Sequence, residues 1–140
     1  MAKLTFLLGL AGSGKSFYAE GLRKATGAEL FEGVEHHRSI SAVVQRLKNS
    51  GDCVVEEIAY CESSARAKVV AYFRSQVPGV EVAFVCFENN LESANWNVKR
   101  RPHKRDDIKG HLASNDIWHR RYTYPEGATV LPITRIPSLT

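Results

Sequence analysis

Residues 4–16 read Leu-Thr-Phe-Leu-Leu-Gly-Leu-Ala-Gly-Ser-Gly-Lys-Ser, and they carry the strongest indication of the fold. Its first five residues form an apolar run suited to a buried strand. Residues 9–16 match the pattern G-x-x-x-x-G-K-[ST], and the residues that follow have helical spacing, with Tyr18, Leu22 and Ala25 on one face. A strand, a glycine-rich loop and a helix in this order predict a loop whose backbone N–H groups surround nucleotide phosphates.

The positions of this phosphate-binding loop have separate expected roles. The Lys15 ammonium reaches the β- and γ-phosphates, and the Ser16 hydroxyl is a ligand for Mg²⁺. The N-terminus of the following helix favours the negative charge of the phosphates. ATP and Mg²⁺ are therefore the expected cofactors. The predicted nucleotide-binding residues in the loop and the first helical turn are Gly9, Ala11, Gly12, Ser13, Gly14, Lys15, Ser16 and Phe17.

Strand and helix signals alternate along the rest of the chain. Residues 80–87, with the continuous apolar run 82–87, predict a strand that is buried on both faces. The last strand, residues 128–133, contains Pro132, which cannot donate to a ladder and so places the strand at a sheet edge. This alternation predicts an α/β fold, a three-layer α/β/α sandwich with a parallel sheet, whose ligand binds at the carboxyl ends of the strands.

Capping residues and helix breakers predict where the helices begin and end. Ser39 is the expected N-cap of the second helix. The third helix starts near residue 62 and is expected to present Tyr72 with its apolar face. A fourth helix is expected over residues 90–101, where the following proline ends it, and a fifth over residues 108–122.

Composition limits the class of protein. The chain has 140 residues, 44% hydrophobic and 24% charged, as expected for one soluble globular domain. It contains no apolar stretch of the ~18 residues that a membrane span needs, and Met1 leads into the first strand without a signal peptide. The expected location is the cytoplasm, that of the host if the gene belongs to a bacteriophage. The three cysteines form no C-x-x-C pair and are expected to be free thiols.

The basic character of the chain is confined to its C-terminal third. Residues 1–98 carry 10 Lys/Arg and 11 Asp/Glu, a balance of −1. Residues 99–140 carry 9 Lys/Arg and 4 Asp/Glu, a balance of +5. Such a region is suited to a polyanionic ligand, and ATP alone accounts for several of these charges.

Two carboxylates follow the third apolar strand directly. Glu56 and Glu57 come after Val54-Val55, where phosphate-loop proteins place an acid that holds or orients the metal. Since successive strand side chains point to opposite faces, only one of the two is expected to face the metal. We expect Glu56 to contribute to the metal site and Glu57 to contact the substrate. A solvated strand end is the alternative.

Two further segments are candidates for phosphoryl transfer. Residues 32–38 follow the second strand and include Glu32 and Glu35, either of which could take the proton from an acceptor hydroxyl. Residues 99–105 contain five Lys/Arg, interrupted by a proline, and predict a basic lid segment around 99–107. An ordinary polar loop and a solvated basic turn are the respective alternatives.

These residues together resemble small P-loop kinases related to polynucleotide kinase and common in bacteriophages. The likeness rests on residues 9–16, the strand ending at Glu57, residues 86–101 and the late segment 121–125. It implies a five-stranded sheet in the order 2-3-1-4-5. It also implies that Arg100, Arg101 and Arg105 are lid arginines, with Arg101 and Arg105 contacting the nucleotide, and that Glu32 and Glu35 occupy the place of an acceptor-activating Asp.

The sequence thus predicts an ATP- and Mg²⁺-dependent kinase. Its expected acceptor is a hydroxyl of a nucleotide or nucleic acid, DNA rather than RNA. The resemblance implies either a polynucleotide 5′-hydroxyl or the hydroxymethyl group of a modified pyrimidine in DNA. Two other classes stay open: a P-loop NTPase or nucleotide-gated switch without an acceptor, and a nucleic-acid-binding module.

Overall fold

The computed structural model describes residues 2–34, 37–101 and 107–137, and for His37 it describes the backbone alone. The predictions for Glu35 and Arg105 therefore lie outside the described residues. In these three ranges, no helix is both long and apolar enough to cross a lipid bilayer.

Strands and helices alternate along the chain, as the sequence predicted. The elements are β1 (Lys3–Leu8), α1 (Lys15–Thr26), β2 (Glu29–Glu32), α2 (His37–Lys48), β3 (Cys53–Glu56), a 3₁₀ helix (Ile58–Cys61), α3 (Ser63–Gln76), β4 (Glu81–Phe87), α4 (Leu91–Arg100), α5 (Ile108–Trp118) and β5 (Thr129–Leu131).

The five strands form one parallel sheet in the order β2-β3-β1-β4-β5, which confirms the predicted fold and strand order. Strand β5 is an edge strand, as the proline at its end required. In the register of the sheet, Glu56 pairs with Leu7 of β1 on one side and with Glu32 of β2 on the other. Both carboxylates therefore lie at the carboxyl ends of their strands, on the side of the sheet where the phosphate-binding loop begins.

The central strand β1 contributes to hydrophobic clusters on both faces of the sheet. Phe6 packs with residues of α2 and α3, including Val43 and Phe73, and its ring contacts those of Tyr60 and Phe84. Leu7 points to the other face, where it packs with Ala19 of α1 and with Val54 and Val85. The two clusters make the three layers predicted from the alternating pattern.

Local details depart from the sequence predictions where tertiary contacts decide the conformation. Ser39 lies inside α2, so its predicted role as N-cap was wrong. Ala25 is exposed on α1, and Tyr72 is 39% exposed, because α3 buries Arg66 and Val70 beside Val69 and Phe73 instead. Helix α5 ends at Trp118, since Thr123 donates its N–H to the carbonyl of Cys61 and the chain leaves the helix to reach it.

Candidate active site

The phosphate-binding loop adopts a backbone conformation that two of its glycines make possible. Gly12 and Gly14 have φ angles of +89° and +106°, a region that residues with a Cβ rarely adopt. A Cβ on Gly12 would also overlap the carbonyl oxygen of Ala94 and lie 3.0 Å from Cγ2 of Val98. Helix α4 therefore packs directly against this loop, and Gly12 is required for its backbone and for the close approach of α4.

Lys15 is buried at the start of α1, beside the acid at the end of β3. Its Nζ donates to the carbonyl of Gly9 at 2.6 Å and lies 4.0 Å from Oε1 of Glu56. Burial lowers the pKa of Lys15 and raises the pKa of Glu56, whereas their mutual attraction favours the charged form of each. The two groups thus form a partly desolvated pair at the position where phosphates and a metal ion would enter.

Two buried oxygen atoms near this pair are without a hydrogen-bond partner among the described residues. They are Oγ of Ser13 and Oε2 of Glu56. A buried acceptor is costly unless a ligand or an ion satisfies it. Carboxylate and hydroxyl oxygens are the ligands that Mg²⁺ prefers, so Glu56 and the exposed Ser16 fit a magnesium ion by their chemistry.

A cavity of about 1200 Å³ lies over the carboxyl ends of the strands. The phosphate-binding loop forms its centre. Glu32, Glu56 and Ile58, which follow β2 and β3, lie on one side of that centre in the sheet order. The other side is formed by α4, α5 and the chain that follows β5. The residues lining that side are Phe87, Asn97, Arg101, His111, Ser114, Pro132, Thr134 and Ile136.

Most of the site residues predicted from the sequence meet in this cavity. They are Ala11, Gly12, Ser13, Gly14, Lys15, Ser16, Phe17, Glu32, Glu56 and Arg101. Gly9 is not a lining residue, but its carbonyl accepts the bond from Lys15. Phe17 is 89% exposed, which is unusual for a phenylalanine and leaves its ring available to a ligand.

Glu57 and Arg100 are placed elsewhere. The carboxylate of Glu57 accepts a hydrogen bond from the N–H of Ala59 at 3.0 Å and caps the 3₁₀ helix. The guanidinium of Arg100 lies over the ring of Trp96, 3.2 Å from its centroid. Neither side chain lines the cavity, so no contact supports the catalytic roles predicted for them.

Two asparagines that were not among the predicted site residues hold the loop. Asn115 of α5 pairs with both the N–H and the carbonyl of Ala11, at 2.8 and 2.9 Å. Asn97 of α4 donates to the carbonyl of Gly12 at 2.8 Å. Asparagine is unfavourable inside helices because it competes for backbone hydrogen bonds. Its presence within two helices near the basic segment was the signal that could have identified them.

A tyrosine joins the ends of the two strands beside the loop. The hydroxyl of Tyr122 contacts the carbonyls of Leu8 and Phe87, at the ends of β1 and β4. Burial raises the pKa of Tyr122, so its hydroxyl stays protonated and can donate. The arrangement fixes the separation of β1 and β4 at the point where the phosphate-binding loop leaves the sheet.

The three cysteines are free and buried, as predicted, and none lines the cavity. Burial raises the pKa of Cys53 to about 12 and that of Cys61 to about 11. Their thiols are therefore neutral near pH 7 and are poor nucleophiles.

No protein-family model matches the chain, and no curated protein is similar to it in sequence. Solved structures are similar in fold. A gluconokinase from Sinorhizobium meliloti has a TM-score of 0.66 at 16% identity, over 96% of this chain and 84% of that one. A sugar kinase from a Janibacter species has a TM-score of 0.57 at 15% identity, over 95% and 85% of the two chains. The chain shares the fold of these two structures.

Proposed function

We propose that the chain is an ATP-dependent kinase that transfers the γ-phosphate to a hydroxyl group of a nucleotide or nucleic acid. One observation carries the proposal: a single cavity joins the phosphate-binding loop to the carboxylates Glu32 and Glu56 on one side and to Arg101 on the other. A binding module or a simple switch has no need for such a set of groups. The kinase names of the similar structures support phosphoryl transfer as the reaction.

The loop side of the cavity binds the phosphoryl donor. Lys15 exchanges its bond to the Gly9 carbonyl for the β- and γ-phosphates, and backbone N–H groups of the loop contact the phosphate oxygens. Ser16 and Glu56 would hold Mg²⁺, which would supply positive charge next to the transferring group. Arg101, at the end of α4, stabilises the charge that develops during transfer.

The side of the cavity at the ends of β2 and β3 binds the acceptor. Glu32 ends the edge strand β2, is exposed, and lies beside Glu56 in the sheet register. In this proposal its carboxylate accepts the proton of the acceptor hydroxyl, whereas Glu56 would be engaged by the metal. The predicted part of Glu35 in this step, and that of Arg105 and the basic lid around residues 99–107, remain predictions because the central residues lie outside the described ranges.

The preferred acceptor is DNA, at a 5′-hydroxyl or at the hydroxymethyl group of a modified pyrimidine. This preference rests on the resemblance to bacteriophage kinases related to polynucleotide kinase and on the basic C-terminal third of the chain. A small sugar or sugar acid is the second candidate, because the similar structures include a gluconokinase and a sugar kinase. With ATP as donor and DNA as acceptor, the proposed location is the cytoplasm.

Transfer of labelled γ-phosphate to a panel of acceptors tests the proposal. The panel contains 5′-hydroxyl oligonucleotides, nucleosides, DNA with hydroxymethylpyrimidines, glucose and gluconate, each with and without Mg²⁺. We expect labelled DNA and its loss in Lys15→Ala. Lys24→Ala, which removes an exposed cation near the other end of α1, is the matched control and should retain activity. Release of free phosphate alone, with every acceptor, would show an NTPase instead.

A further inference from the structure

The backbone N–H and carbonyl of Ala11 are both bonded to a buried side chain that lies far away in the sequence. Asn115 is fully buried within α5. Its Oδ1 accepts from the N–H of Ala11 at 2.8 Å, and its Nδ2 donates to the carbonyl of the same residue at 2.9 Å. The side-chain amide therefore satisfies both backbone groups of Ala11, which would otherwise lose these partners beside the cavity.

The orientation of this amide is fixed by a third contact. Nδ2 of Asn115 also donates to Oδ1 of Asn95 on α4, at 3.0 Å. Turning the amide over would set a donor against the N–H of Ala11 and an acceptor against its carbonyl, so all three bonds would be lost. One asparagine thus has a single favourable orientation, which joins α4, α5 and the loop.

Asn97 makes a second attachment one residue further along the loop. Its Nδ2 donates to the carbonyls of Gly12 and Thr134, at 2.8 and 3.0 Å. Its Oδ1 accepts from the N–H of Ile136 at 2.7 Å. Because Thr134 and Ile136 line the cavity, Asn97 connects the loop to the cavity wall that follows β5.

We propose that Asn115 is a positioning residue that keeps the phosphate-binding loop in its nucleotide-binding form before a nucleotide arrives, with Asn97 as its partner at Gly12. The inference rests on the proposed nucleotide-binding role of the loop. Backbone donors bind phosphate tightly only when their directions are set in advance, because ordering them on binding costs free energy. The Ala11 N–H is already bonded to Asn115, so Ala11 supports the loop and leaves phosphate binding to the residues that follow it.

Titration of a fluorescent ATP analogue against three variants tests this role. Asn115→Leu keeps a buried side chain of similar length but leaves both groups of Ala11 unpaired, and we expect an affinity on the order of tenfold weaker. Asn115→Asp should approach wild-type affinity as the pH falls, because a protonated carboxyl can accept and donate as the amide does. Val43→Ala, a core variant on α2, removes buried apolar atoms but none of the hydrogen bonds to Ala11, and it should lower stability and leave affinity unchanged.

Hydrogen exchange of the Ala11 amide in the wild-type protein gives a measurement that needs no variant. The inference predicts slow exchange without nucleotide and fast exchange in folded Asn115→Leu. Exchange in the wild type as fast as in an exposed loop would overturn it, and so would wild-type affinity in Asn115→Leu. If Asn115→Leu does not fold, the wild-type exchange and the pH response of Asn115→Asp decide.

The two proposals fail in different ways. Nucleotide binding that depends on Asn115, without transfer to any acceptor, would refute the kinase and leave the positioning role intact. Transfer that proceeds with normal KM for ATP and normal kcat in Asn115→Leu would refute the positioning role alone.

Discussion

Two parts of the cavity are held by different kinds of contact. We call the phosphate-binding loop the donor wall and the ends of β2 and β3, with Glu32 and Glu56, the acceptor wall. The donor wall is a loop whose backbone is bonded to buried amides from residues 104 and 85 positions away, Asn115 and Asn97. The acceptor wall depends on the pairing of two short strands, and its outer member, Glu32, is exposed on an edge strand. The structure therefore fixes the conformation of the loop in advance and leaves the carboxylate of Glu32, the proposed proton acceptor, free to change rotamer.

This difference follows from what each wall binds. In the proposed mechanism, backbone N–H groups bind the phosphates, and these groups act well only in one conformation of the loop. An acceptor hydroxyl needs one carboxylate within hydrogen-bond reach, and a side chain can supply that by changing rotamer. Four substitutions test the comparison.

The largest effect is expected at the acceptor wall. Glu32→Gln removes the proposed proton acceptor and should lower kcat by on the order of 10²- to 10⁴-fold. Affinity for ATP should stay unchanged, because the donor wall is intact. Glu29→Gln, at the other end of the same strand, is the matched control in a steady-state kinetic comparison. Equal activity in both variants would remove Glu32 from the mechanism.

A smaller decrease in the rate of transfer is expected for Arg101, and it should distinguish this residue from its neighbour Arg100. Arg101 lines the cavity, whereas Arg100 lies over Trp96. Arg101→Ala should lower kcat by on the order of 10²- to 10³-fold, as for the loss of a transition-state donor. Arg100→Ala should change the rate only slightly. The reverse order, measured by single-turnover transfer, would restore the sequence prediction for Arg100.

The donor wall should respond to a single methyl group. Gly12→Ala forces a Cβ into α4 at a positive φ, and we expect a loss of about 1–3 kcal/mol in the free energy of unfolding. Gly21→Ala in α1 meets no atom within 4 Å and should be stabilising by about 0.5–1 kcal/mol. Urea unfolding of both variants measures the difference between their free energies of unfolding. Equal values would mean that α4 moves away from the loop at little cost.

The smallest expected effect is on the pH dependence of stability, and it concerns the pair formed by Lys15 and Glu56. Lys15 is the strongest influence lowering the pKa of Glu56, so Lys15→Ala should raise that pKa further above its ordinary value. A carboxyl with a raised folded-state pKa binds protons more tightly when folded, so stability falls as the pH rises through that value. Taken as the difference from the wild-type protein, the free energy of unfolding of Lys15→Ala should fall from acidic to neutral pH. A difference that rose across that window would contradict the prediction.

The sequence was sufficient for the fold because the decisive signals were local. Residues 4–16 contain a strand, a loop and the start of a helix, and the apolar runs of β3 and β4 require burial in a parallel sheet. The alternation of strand side chains predicted that only one of Glu56 and Glu57 faces the loop, and only Glu56 lines the cavity. Each of these inferences needed a few neighbouring residues and one geometric rule.

The sequence was insufficient where contacts join distant residues. Nothing near Asn115 indicates that it meets Ala11, and the exposure of Tyr72 follows from how α3 packs against the sheet. The position of Arg100 was missed for the same reason, because a basic run does not show which guanidinium stacks on Trp96 and which enters the cavity. The sequence also did not show that the carboxylate of Glu57 has a local partner, as the cap of the 3₁₀ helix.

The size of the cavity bears on the order of events in the reaction. At about 1200 Å³ it exceeds the ~300–1,000 Å³ usual for one small ligand, and the loop and both carboxylates open into the same space. ATP and acceptor can therefore occupy it together, without a phosphorylated enzyme between two half-reactions. Such a ternary complex gives intersecting initial-velocity lines instead of the parallel lines of ping-pong kinetics, and one in-line displacement inverts the configuration at phosphorus.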